Sequence, residues 1–74
     1  MNEMEIFQKR LNDRMKELTL SPQILARKTG MSEKAIRGYQ KGSNYPRPYS
    51  LMVLAKALRV SVNYLTGAED EVGT

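Results

Sequence analysis

Apolar residues recur along this chain at helical steps. Phe7, Leu11, Met15 and Leu18 follow one another three or four positions apart, which predicts a first helix running to about Leu18. Asn2 can cap it, with Glu5 in the capping-box position. The chain then repeats one local pattern three times: an apolar residue, Ser, three residues, an apolar residue. The copies are Leu20-Ser21 with Leu25, Met31-Ser32 with Ile36, and Val60-Ser61 with Leu65. Each has the form of a helix start. The Ser hydroxyl accepts from a free N–H of the first turn, and the flanking apolar pair forms a hydrophobic staple. These starts predict helices over about Pro22–Thr29, Glu33–Lys41 and Val62–Leu65, with Gly42 and Gly67 as stops. Ser43 to Arg47 reads as a loop. Pro48 opens a fourth helix with Leu51, Leu54, Ala55 and Leu58 on one stripe. Met52 and Val53 widen that stripe nearly all round, so this helix is expected to be the central, most buried one. No strand pattern or internal repeat is present.

The first two Ser starts lie eleven residues apart, so two short helices must meet through a tight turn. Gly30 sits before the second start, where a chain leaving a helix often needs positive φ. That arrangement is a helix-turn-helix, a unit that places its second helix in the major groove of DNA.

The 74 residues suffice for one small domain, expected over 1–68, with 69–74 as a disordered tail. The chain has no Cys and no His, so no disulfide, ordinary zinc site or other metal site is expected. Stability must come from apolar packing, which yields only about 3–5 kcal/mol at this size. No apolar run approaches a membrane span, and the N-terminus lacks the apolar stretch of a signal peptide, so a cytoplasmic protein is expected. Charge is uneven. From Leu18 to Ala68 there are eight basic residues and one acid, Glu33, which sets that segment at +7. Such asymmetry suits either a polyanionic partner or a solvated basic surface. Without His or Cys, and with Asp13 and Asp70 the only aspartates, no catalytic constellation is evident; no cofactor or small-molecule ligand is expected.

Placed on a wheel at about 100° per residue, the third helix turns Ala35, Ile36 and Tyr39 to the core. Arg37 and Lys41 lie almost opposite, with Lys34 beside them and Glu33 and Gly38 flanking. Arg37 has the forked geometry to read a guanine edge, and Lys34 can reach bases or phosphate. Glu33 could accept from a cytosine amino group or simply favour the helix N-terminus. Lys41, at the helix end, suits phosphate. Gly38 costs roughly 1 kcal/mol inside a helix; its absent side chain reads either as room for close approach to DNA or as tolerated drift. Ile24 points away from Leu25, Ala26 and Thr29, covered by a loop or offered to a protein partner.

The segment Leu20 to Gly67 resembles the Cro/C1-type (XRE) helix-turn-helix family. Ala26 falls where the two helices cross, Gly30 at the turn, Ile36 at the buried centre of the second helix, and ALRVSVNYLTG resembles the closing helix. The resemblance implies an all-α, five-helix, lambda-repressor-like domain that binds double-stranded DNA and regulates transcription, most simply a phage or prophage repressor. It implies base readout by Glu33, Lys34 and Arg37, and phosphate contacts from Gln23, Arg27, Lys41, Asn44, Tyr45 and Arg47. The family commonly has Gln where this chain has Pro22; here the Gln is displaced to Gln23, and the N–H of residue 22 is lost. Tyr45 and Tyr49 could equally pack around Pro46 and Pro48. Family members pair on palindromic operators, and here the resemblance puts a weak homodimer surface around Arg59, Val60, Val62 and Tyr64. The chain could be a complete regulator or the N-terminal domain of a longer repressor. The rival reading is a protein-interaction module, or an antitoxin-type regulator acting through a protein partner. A membrane-surface role is disfavoured because the cations are spread over several helices.

Overall fold

Four of the five helices begin at a side-chain cap. In the computed structural model, which describes residues 1–70, these are α1 (Glu3–Glu17), α2 (Pro22–Thr29), α3 (Glu33–Lys41), α4 (Pro48–Leu58) and α5 (Val62–Thr66). Asn2 and Glu5 form the reciprocal capping box of α1. The hydroxyls of Ser21, Ser32 and Ser61 accept from the N–H groups of Ile24, Ala35 and Tyr64 at 3.1, 3.0 and 2.9 Å. The staple partners Leu25, Ile36 and Leu65 are fully buried, and Leu20, Met31 and Val60 lie in or against the core. Only α4 starts differently, with Arg47 at the cap position and Pro48 behind it, a residue whose missing N–H leaves one donor fewer to satisfy.

The core is one cluster drawn from all five helices, with Phe7, Leu11, Leu25, Ile36, Leu54, Leu58 and Leu65 at its centre. α1 packs on α3, α4 and α5, while α4 packs on α1, α2 and α5. No packing joins α3 to α4. Part of α4 is left uncovered: Tyr49 is 76% exposed and Met52 60%. With Leu51, Leu54, Ala55 and Leu58 buried, α4 is the helix with the most buried residues, as expected, but the widening of its apolar stripe at Met52 is not covered. Its high apolar content exceeds what its neighbours cover.

Two non-glycine residues, Thr19 and Arg59, adopt left-handed conformations at φ 57° and 58°. Both end helices, and both cost about 1–2 kcal/mol relative to the right-handed region. Thr19 follows α1, whose last turn is closed by Leu20 N–H donating to the Met15 carbonyl. Beyond α5, Glu69 N–H donates to the Asn63 carbonyl, and Arg10 donates to the Glu69 carbonyl. Of the expected tail, residues 71–74 lie outside the described residues. Among the described residues no helix is long and apolar enough to cross a membrane.

Candidate nucleic-acid interface

The turn between α2 and α3 is knitted locally. Gly30, at φ +74°, donates to the Ala26 carbonyl, and so does Met31. An L side chain would be strained at that φ although nothing crowds the space. The Thr29 hydroxyl donates to the Leu25 carbonyl at 2.8 Å and accepts from Met31 N–H.

The orientation of α3 is set from its far side. Ile36 is fully buried, and Tyr39 meets Phe7 edge-on with centroids 6.1 Å apart. A polar clamp from α1 fixes the helix end. Gln8 and Asn12 both donate to the Gln40 carbonyl, at 2.9 and 3.1 Å, and the Gln40 carboxamide donates back to Asn12. Sequence reasoning missed this clamp, because nothing local in Gln8, Asn12 or Gln40 marks them as partners.

With that side anchored, Lys34, Arg37 and Lys41 all face solvent. An open groove runs between them and the loop residues Ser43 and Asn44, with Glu33 at its end and Gly38 as its floor. Arg37 donates through Nε and an Nη to one Glu33 oxygen, at 3.2 and 2.8 Å. Both partners are half-exposed, so the pair is worth only ~0.3–0.5 kcal/mol and can open. The structure thus brings Glu33, Lys34, Arg37, Lys41 and Asn44 to one face. Gln23 and Arg27 are exposed on α2 outside that groove, and Arg47 is exposed at the start of α4.

Tyr45 departs from its expected role as a phosphate contact. Its ring packs on Phe7, 5.1 Å between centroids, and its hydroxyl is buried without a hydrogen-bond partner. Burial first, and then the neighbouring Glu3 carboxylate, pushes the phenol up to about 12. In this conformation the hydroxyl is not offered to a ligand. The expected homodimer surface also needs correction. Val60 is 8% exposed and part of the core, because the staple that starts α5 draws it inward. Arg59, Val62 and Tyr64 border three separate grooves. Tyr64 is further occupied by the Arg10 guanidinium, 4.3 Å above its ring.

Among the described residues, Lys16 on α1 and Arg27, Lys28, Lys34, Lys41, Arg47, Lys56 and Arg59 beyond it are in no ion pair. Sequence reasoning also missed an apolar groove where Met52, Pro46, Pro48 and Val62 meet beside α4, with Glu3 at its edge. The signal available for it was the excess of apolar residues in α4.

A family model described as helix-turn-helix matches residues 11–65, well over half of the chain. No curated protein and no solved structure matches it.

Proposed function

The chain belongs to the helix-turn-helix family, of Cro/C1 (XRE) type, whose members are DNA-binding regulators, and from that premise we propose that it is a transcriptional repressor of phage or prophage kind, working in the cytoplasm. α3 enters the major groove of an operator. Arg37 reads a guanine edge, Lys34 and Glu33 complete the base readout, and Gln23, Arg27, Lys41 and Arg47 hold the flanking phosphates. The N-terminus of α2 adds free N–H groups and a favourable dipole for one phosphate. Repression follows from occluding promoter DNA.

The observation that carries this reading is the row of cations on the outer face of α3, continued by cations on α2 and at the start of α4 that have no ion pair among the described residues. Seven like charges without an ion pair among the described residues repel one another, and a polyanion relieves that repulsion. Titrating labelled duplex at several salt concentrations tests it. Log K should fall with log salt by about 0.9 per phosphate neutralised. A flat response, or no binding at low salt, would overturn the reading.

A single reading helix makes few base contacts, so two copies are expected on a palindrome with half-sites about 34 Å apart. Of the positions first expected at the pairing surface, Val62 is the one beside exposed apolar area, next to Met52. That area is small, which favours pairing on DNA over a tight dimer in solution. Sedimentation without DNA, followed by stoichiometry on single and double half-sites, tests this. The same groove supports the second reading, a regulator that acts through a protein partner; capture of a protein by a chain that binds no duplex would favour it.

A further inference from the structure

Gly38 sits in the middle of α3, on its solvent-facing side, yet it is buried. What covers it is the loop that follows the helix. A Cβ at position 38 would lie 2.5 Å from Asn44 Nδ2, 3.3 Å from Asn44 Cγ and 3.6 Å from Ser43 Oγ. The Asn44 carboxamide therefore occupies the space that a side chain of residue 38 would fill. The loop is fastened there by its own backbone. Ser43 N–H donates to the Gly38 carbonyl at 3.0 Å and its hydroxyl at 3.2 Å, and Asn44 N–H approaches the same oxygen at 3.4 Å.

Glycine here does not serve backbone freedom. The position is helical, and a glycine inside a helix costs roughly 1 kcal/mol relative to alanine. The missing side chain makes a notch, and the notch seats a carboxamide on the face that carries Lys34, Arg37 and Lys41. Those three side chains are donors only. A carboxamide presents a donor and an acceptor side by side, the pattern complementary to the N7 and N6 amino group of adenine in the major groove.

We propose that Asn44 is a specificity-determining residue of the DNA-reading surface, directed to an adenine edge, and that Gly38 is its positioning residue. The inference rests on the DNA-binding reading above and replaces the phosphate role first expected of Asn44. It makes the reading surface a helix plus a loop side chain planted on that helix.

The test is a double-mutant cycle on Gly38→Ala and Asn44→Ala, read on three probes. The first is a duplex selected by the wild-type chain from a random pool, the second its single-base-pair variants, and the third an unselected duplex. The atom crowding a new Cβ most closely is the end of the Asn44 side chain, so Gly38→Ala should fold by pushing the carboxamide aside, with a melting temperature equal to or above wild type. Asn44→Ala should weaken binding to the selected duplex about 5- to 100-fold, flatten preference at one A·T pair, and leave the unselected duplex within about twofold. Gly38→Ala should give a similar loss in the wild-type background and almost none when Asn44 is already Ala. Equal weakening of selected and unselected duplex by Asn44→Ala would return the residue to a phosphate role. Losses from the two changes that simply add would separate Gly38 from Asn44. If the wild-type chain binds no duplex, the DNA-binding reading fails first, and that result is distinct from either.

Discussion

In α1 the arginines turn back onto the protein. Arg14 donates through Nε and an Nη to the Leu58 carbonyl at the end of α4, at 3.1 and 2.9 Å, and also pairs with Glu17. Arg10 donates to the carbonyls of Tyr64 and Glu69 and stacks on the Tyr64 ring. From Arg27 to Arg59 the cations behave oppositely. Arg37 has an ion pair on its own helix, and the other seven have none among the described residues. The same side-chain chemistry thus does two jobs. Beside exposed carbonyls at helix ends an arginine completes hydrogen bonds and holds helices together. On a face with few acids it leaves a field for an anionic ligand.

The comparison breaks most severely if the reading unit does not depend on the core it shares with α1. Ile36→Ala should leave a cavity and cost about 2–5 kcal/mol, enough to unfold much of a domain this small. Thermal melting that matches wild type would contradict the anchoring of α3. Next comes the internal arginine. Arg14→Ala should cost roughly 1.5–3 kcal/mol by removing charged donors from the Leu58 carbonyl, while DNA affinity per folded molecule stays constant. A loss of affinity with no change in denaturant midpoint would place Arg14 with the outward cations.

The outward cations should show the converse. Arg37→Ala should leave the melting temperature nearly unchanged, since it removes only an exposed pair, and should lose about 1–3 kcal/mol on the selected duplex with relaxed preference at one base pair. Arg47→Ala should weaken all sequences alike and reduce the salt slope by about 1. Identical behaviour of the two variants would erase the distinction between base and phosphate contacts.

Tyr45 gives the smallest effect and sharpens the boundary between the two regions. Its phenol is held near 12 against an ordinary value of 10, chiefly by burial. A pKa raised on folding contributes stability that is fully present below pH 10 and is lost as pH rises through about 12. In an ultraviolet titration of the four tyrosines, one phenol should ionise last, and Tyr45→Phe should remove that step. Tyr45→Phe should leave DNA affinity intact, because the hydroxyl faces inward. A titration curve that Tyr45→Phe leaves without the loss of a late step would mean the phenol is not buried.

Five helices, their Ser and Asn caps, the turn at Gly30 and the outward row of Lys34, Arg37 and Lys41 are all legible in the amino-acid order. Each depends on residues within about five positions of one another, or on one helical period, so local chemistry decides them. The charge asymmetry is legible for the same reason: composition needs no fold. The tertiary structure decided the rest. Met52 is exposed because no neighbouring element covers its side of α4; the apolar excess of α4 is a hint of that, but where the uncovered side falls depends on the packing. Tyr45 is turned inward because Phe7 of the distant α1 offers its ring a packing partner. Arg10 and Arg14 find carbonyls 44 to 59 residues away. Gly38 reads from the sequence as close approach to DNA or tolerated drift, and only the loop folded over it shows Asn44 in that space. Helix starts are written in short-range hydrogen bonds and staples; which side chains are covered, spent internally or left for a ligand is settled only when remote elements meet.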